Sequence, residues 1–447
     1  MKRSRASLTH NLLPFLFCCS FIPALAQQPN PSMLWRLDHP GQAKPSYLYL
    51  VTSSNREALF QFPDSLYAAL QTTEHFSTVR SPRDILAVTI AFMTDQQGPQ
   101  SVMLQEAVSP DLWPTYAPLL QKKFDKPADE ITLWDAMQYA STMKKSVDPE
   151  SPFRTDPEMY LFEYDRRLNK TSAGLQPVRN AEGKLYIPVS ESELQWITGN
   201  AGKSAQKKAT EKMVDAYLAG NIQGMRNVCE CTQKADDFHI QELRRVAAAI
   251  DSQAALKPTL FVVPVGYLLS DKTLFDMLPA GTLLTPVATA RRLSHTQNPL
   301  PPDQQPYTPV TDRYRNRYKA NMPGEYFEKV IGEKMEMYFG VDMYEETSFF
   351  LLSFPAKVPA AEQRGVMEEA SRQFMEIKKL PEPAAITKNG IPGLEYTVTE
   401  GQKEKRLQVF YDHDVLLFAM CVRENTAVPS RHADRFFKEV EILPGKE

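Results

Sequence analysis

The sequence predicts two folded units of different class. Residues 33–292 read as an α/β layered unit with a helical subdomain, and residues 319–447 as an α+β sandwich, an antiparallel sheet with helices. Three observations carry this reading. From residue 33 to about 290, short apolar runs alternate with segments of helical periodicity, which is how layered strands and helices are written in sequence. Residues 293–318 are crowded with proline, as in Asn298-Pro-Leu-Pro-Pro302 and Tyr307-Thr-Pro309. Proline fixes φ and lacks an N–H donor, so this run is expected to be an extended linker. Beyond it, Leu394, Tyr396 and Val398 alternate with Glu395, Thr397 and Thr399, the period of a half-buried strand.

The elements follow in order. Lys2, Arg3 and Arg5, the apolar run Leu12–Ile22 and the small residues Ala24 and Ala26 form a secretory signal peptide over residues 1–26, with cleavage before Gln27. The apolar run is too short for a transmembrane span. Phe17 before Cys18 and Cys19 departs from a lipoprotein signal, so a soluble exported product is expected. Met33–Leu37 and Tyr47–Val51 read as strands, and the Pro63-Asp64 turn opens a helix through Leu70. Residues 84–92 and 104–145 have helical spacing, the latter being the subdomain. Helices are expected over 207–228, broken at Gly220-Asn221, and over 239–251. Thr259–Val265 and Leu283–Val287 are strands flanking a helix at Thr273–Leu278. In the second unit the strands are 333–341, 347–354, 391–400, 406–412 and 415–422. Helices cover 360–378 and 430–440, with Ser430 as N-cap. Asp412-His-Asp414 is a tight hairpin turn.

Composition excludes some functions. The chain has 447 residues and a net charge of −3. Loss of the leader removes three positive charges and no negative ones, giving −6, which argues against a nucleic-acid partner. No later stretch is long and apolar enough to cross a membrane. Cys229 and Cys231 stand too close for an unstrained disulfide and, with His239 nearby, could be drawn as a soft-metal site. They are read instead as unrelated cysteines, and Cys421 as a small buried hydrophobe. Gly199-Asn-Ala-Gly-Lys-Ser204 has Ile197 where a phosphate loop needs its first glycine. Asn169-Lys-Thr171 spells a glycosylation sequon only. No G-x-S-x-G elbow occurs. His413 between two aspartates is explained by the polar turn. Trp35, Trp113, Trp134 and Trp196 are read as core or lid anchors.

Several stations, in order, resemble the TraB/GumN family over about residues 33–290. They are Met33-Leu-Trp-Arg-Leu37, Ser46-Tyr-Leu-Tyr-Leu50, Phe62–Leu70, Phe162-Glu-Tyr-Asp165 with Leu168, Gln176–Glu182, Asp215–Asn221, Arg244-Arg245 and Phe261–Gly266 with Leu284–Val287. In that family the opening strand and the closing unit each end in a G-x-x-H motif of a metal site, with an acidic signature between them. Here the opening strand runs into Val51-Thr52-Ser53-Ser54-Asn55. Gly266 is followed by Tyr267, Leu268 and Leu269, and Val79 or Thr78 stands at the acidic position. Glu182 is kept. The resemblance therefore implies a related fold with a decayed site: a vestigial cleft of Ser53, Ser54, Val79, Glu182, Gly266 and Tyr267, with no catalytic residue, metal or cofactor. Hydroxyls are weak ligands where imidazole or carboxylate is needed. Ile391-Pro-Gly-Leu-Glu-Tyr396, the hairpin 406–422 and Ala433-Asp-Arg-Phe-Phe437 resemble a PsbP/Mog1-type module, which implies binding or assembly. The expected function is an exported, catalytically inactive binding or assembly protein of the envelope. Its partner would be a peptide, a glycan or another envelope protein. The alternatives are a metal-dependent peptidase-like hydrolase with a non-standard site and a purely structural partner. No stabilisation by divalent cations is expected.

Overall fold

A computed structural model describes residues 33–87, 101–143, 151, 153, 155–199, 203–229, 235–302, 307–312, 316–323, 325–331, 335–342, 344–424 and 432–443. The expected leader, with Cys18 and Cys19, lies outside the described residues, as do Cys231, Ser430, residues 88–92 and the side chains of Cys229 and Trp196. The first part is built on a six-stranded sheet. Its strands are β1 (Leu34–Asp38), β2 (Ser46–Val51), β4 (His75–Thr78), β5 (Thr171–Gly174), β6 (Thr259–Pro264) and β7 (Leu283–Pro286), in the order β5-β4-β6-β2-β1-β7. The four strands β5, β4, β6 and β2 run parallel; β1 and β7 add an antiparallel edge. Strand β6, Thr-Leu-Phe-Val-Val-Pro, is apolar on both faces because it sits in the sheet interior.

Helices α1 (Asp64–Thr72), α4 (Pro157–Arg167), α6 (Lys203–Leu218), α7 (Ile222–Cys229) and α8 (Asp237–Leu256) contribute to one apolar core with this sheet. Asp156 and Asp236 cap α4 and α8, each accepting from the amide three residues on. Gly220, at φ +67°, supplies the left-handed residue that ends α6 before α7 begins. The buried Tyr217 hydroxyl donates to the Leu50 carbonyl at 2.6 Å, tying α6 to β2. The helical subdomain has its own core. Helices α2 (Trp113–Phe124), α3 (Leu133–Met143) and α5 (Glu191–Thr198) pack there with Val102, Leu104, Ile131, Val178 and Leu185.

The second part carries a seven-stranded antiparallel sheet. Its strands are β11 (Glu325–Ile331), β12 (Met335–Asp342), β13 (Thr347–Pro355), β14 (Ala384–Lys388), β15 (Ile391–Glu400), β16 (Lys403–Asp412) and β17 (Val415–Arg423), ordered β11-β12-β13-β17-β16-β15-β14. Strand β17 is central and buried on both faces. Leu416, Phe418 and Met420 face helix α9 (Gln363–Phe374) and its C-terminal extension. Leu417, Ala419 and Cys421 face helix α10 (Ala433–Glu439) and a small sheet of β9 (Thr308–Thr311), β10 (Tyr318–Met322) and β18 (Glu441–Ile442). The period-two reading of residues 394–399 places Leu394, Tyr396 and Val398 on the α9 face. His413 and Asp414 both have positive φ, at +46° and +62°, which is the turn that joins twisted strands in a two-residue hairpin.

The described part of the expected linker is half-buried or exposed over residues 293–302 and makes packing contacts as it runs. Leu293, in β8 (Arg292–Leu293), pairs with Phe62 in β3 (Phe62–Pro63), and Leu300 packs on the first core. The Pro301 carbonyl accepts from Arg167, and the His295 ring meets Phe153 edge-on. At the other end, Pro309 sits in β9 at the edge of the small sheet, where a missing N–H costs no ladder bond. Proline excludes helices and central strands but not packed edges. The two parts also touch directly: Tyr344, in the β12–β13 turn, packs against Tyr160 and lies 5.8 Å beneath the Arg167 guanidinium. Among the described residues, no helix is long and apolar enough to cross a membrane.

Candidate functional site

The parallel strands fix where their following residues emerge. Val51 of β2 lies opposite Pro264 of β6, so Ser53-Ser54 and Gly266-Tyr267 leave neighbouring strands at the same edge. On the other flank Thr78 of β4 pairs with Val262 of β6 and with Gly174 of β5, so Val79 and Arg80 follow at that edge too. The crevice beyond the carboxyl ends of parallel strands is where open α/β sheets bind ligands.

The residues singled out from sequence differ in what they present there. Ser53 is exposed, and the Ser54 hydroxyl accepts from the Arg56 amide at 3.4 Å. Val79 is buried in the core and contributes its carbonyl to the Gln176 amide, so it presents no group to a ligand. Gly266 is exposed with open space around its Cα. The Tyr267 hydroxyl donates to Glu242 at 3.2 Å. Glu182 stands apart from these contacts, on an exposed turn of the subdomain, where its carboxylate pairs with Lys184 at 2.9 Å and is held below its ordinary range by that ammonium.

The polar centre of the edge comes from residues that sequence spacing did not single out. Arg80 donates to Glu242 Oε1 at 3.3 Å, so one carboxylate oxygen serves both Arg80 and Tyr267. The Glu242 side chain is 9% exposed, and its Oε2 and the Arg80 Nε find no hydrogen-bond partner among the described residues. Glu158, in the first turn of α4, is pushed up to about 8 by burial and by Asp156, with Arg80 opposing. It therefore carries a proton at neutral pH. Burial, reinforced by the Glu242 charge, raises Tyr267, so its phenol remains a donor. The only sequence hint was local: Arg80 follows Val79, and Glu242 lies on the inward face of α8.

The Arg80–Glu242–Tyr267 arrangement offers a guanidinium and a phenol, which are groups for holding a polar ligand. His239 Nε2 lies 3.2 Å from Ser270 Oγ, but that hydroxyl directs its own proton to the Lys272 carbonyl. In that arrangement the imidazole nitrogen donates to Ser270 Oγ. Burial also lowers His239, against Asp236, Glu242 and Asp271. Among the described residues, no three His, Cys, Asp or Glu donor atoms converge at this edge within one ion's reach.

No protein-family model matches the chain, and no curated protein matches it. A crystal structure of a protein from Bacteroides thetaiotaomicron VPI-5482 aligns with 29% of this chain at 10% identity and a TM-score of 0.21. The chain spans 46% of that protein's length, and likeness at this level carries no argument about fold or function.

Proposed function

We propose that this chain is an exported, catalytically inactive binding or assembly module of the cell envelope. In this reading the first unit, about residues 33–292, is a TraB/GumN-like fold whose metal chemistry has been lost, and the second, about 319–447, is a PsbP-like module. The observation that carries it is the composition of the strand-end edge. Ser53, Ser54, Tyr267 and the Arg80–Glu242 pair stand at the edge to which the resemblance assigns imidazoles. Hydroxyls and an ion pair bind amides and sugar hydroxyls well but hold a divalent cation poorly. The partner is accordingly a peptide or glycan whose polar groups meet Arg80 and Tyr267.

Binding of the mature chain to peptide and glycan arrays, followed by calorimetry of the hits, tests this. Arg80→Ala and Tyr267→Phe should each weaken binding at least about tenfold while the ligand is recovered unchanged. Binding indifferent to both substitutions would remove the edge from the account. A second reading, a metal-dependent peptidase-like hydrolase with a non-standard site, has one observation in its favour. Burial and Asp156 push Glu158 up to about 8, with Arg80 opposing, the range a general acid needs. Turnover of a bound ligand that is lost in Glu158→Gln would select it.

A further inference from the structure

A second cluster lies in the other half of the molecule. Asp342 ends β12, Glu345 follows in the turn to β13, and His432 stands immediately before α10. All three are buried, and one donor atom from each lies within 4.8 Å of the others. His432 Nε2 is 3.3 Å from Asp342 Oδ2. That spacing is the edge of a tetrahedron with bonds of about 2.0 Å, the length of zinc–imidazole and zinc–carboxylate bonds.

The surroundings orient the donors. The Tyr307 hydroxyl bonds His432 Nδ1. That contact admits both tautomers; in the one with Nδ1–H donated to the tyrosine oxygen, Nε2 presents its lone pair toward Asp342, the arrangement in which ligating imidazoles are held by an outer partner. Asp342 Oδ1 accepts the amides of Tyr344 and Glu345 at 3.0 and 2.8 Å, which directs Oδ2 toward His432. With the proton on Nδ1, the Nε2 lone pair and the carboxylate oxygen repel unless a cation stands between them; with the proton on Nε2, that N–H donates to Asp342. The site is thus closed by a proton, in a hydrogen bond or an ion pair, or by a metal.

We propose that Asp342, Glu345 and His432 form a structural site for a first-row divalent cation of the zinc class. One imidazole and two carboxylates suit such an ion. Arg166 lies within electrostatic reach of Asp342, and Arg435 stacks 3.8 Å over the Tyr307 ring; these charges oppose the cation and set a modest affinity. A bound ion ties three distant pieces together: the strand entry at Tyr307, the 342–347 turn and the start of α10. The turn carries Tyr344, which packs on Tyr160 and under Arg167 of the first unit, so the ion would stiffen that joint. This site is independent of the strand-end edge and of any ligand bound there.

The test is zinc titration of the chelator-treated mature chain, read by calorimetry and by Tm. The expected result is about one equivalent bound at a micromolar Kd, with Tm raised by about 2 °C or more at large excess. Asp342→Asn and His432→Gln should each weaken binding at least about tenfold. Tyr307→Phe, which touches no ligand atom of the ion, should weaken it by about tenfold through loss of the outer hydrogen bond. If either ligand variant fails to fold, Glu345→Gln carries the test: a folded variant without a zinc response supports the site, and one with the full response overturns it. A folded wild-type chain with no zinc response overturns it as well, leaving only a hydrogen bond or ion pair between His432 and Asp342. So does an unchanged response in both Asp342→Asn and His432→Gln.

Discussion

Asp165 shows how a single buried group sets a pH dependence. It is 1% exposed, its Oδ1 has no hydrogen-bond partner among the described residues, and Lys170 is 3.9 Å away. Burial pushes it up to about 7, with Lys170 opposing. Below about pH 4 the carboxyl is protonated both folded and unfolded, so its contribution to stability is intact. As pH rises, the unfolded chain releases the proton first, and stability falls until the folded carboxyl ionises near pH 7. Asp165→Asn cannot ionise and should abolish this decline. Denaturant unfolding should find the variant close to wild type at about pH 4 and roughly 1–3 kcal/mol more stable at about pH 8. Parallel curves for the two proteins would show that Asp165 does not titrate as described. His413 makes the opposite case, a polar residue with a local explanation. It occupies a left-handed turn position and its Nδ1 bonds Asp412 at 2.7 Å. His413→Asn, better suited to that turn, should leave ligand binding unchanged and Tm equal or slightly higher; lost binding would give the imidazole a role it lacks here. Sequence spacing revealed this turn because three adjacent residues define it. It could not reveal the Arg80–Glu242–Tyr267 contact, since those residues come from three elements joined only by the fold.

At the scale of elements, the strands and helices with strong periodicity were legible. The break at Gly220-Asn221, strand β6 and the β16–β17 hairpin stand where the pattern put them, because local turn chemistry and side-chain alternation set them. The proline-rich run was not legible in the same way. Proline content fixed what the segment cannot be, but its packing depends on partners. Asn298 donates to the Tyr164 hydroxyl and Leu300 enters the first core, neither of which spacing can announce. The joint between the two parts rests on Tyr344 against Tyr160 and Arg167. Tyr344→Ala removes that ring and its cation–π partner, a loss of roughly 1–3 kcal/mol. Differential calorimetry should then show the unfolding of the two parts separating, or separating further, with lower Tm for at least one. An unchanged thermogram would mean that the joint contributes nothing to cooperativity.

For the whole molecule, the two-part α+β organisation followed from alternation on one side of the proline run and antiparallel patterning on the other. What the sequence withheld was everything assembled at long range. The His432–Asp342–Glu345 cluster was invisible because His432 lies far along the chain from Asp342 and Glu345, and the site proposed there would add a cation response apart from the one the sequence argued against at the strand ends. That site also dictates how the central proposal, an exported binding module without metal catalysis at the sheet edge, must be examined, since bound metal alone would not report on the edge. The direct measurement is hydrolysis of a broad fluorogenic peptide library by the mature chain and by Asp342→Asn, each with added zinc, manganese or cobalt. The account predicts no turnover above buffer for either protein with any ion. Metal-dependent turnover that persists in Asp342→Asn and is lost in Glu242→Gln or Tyr267→Phe would contradict it and place a working metal site among the strand ends.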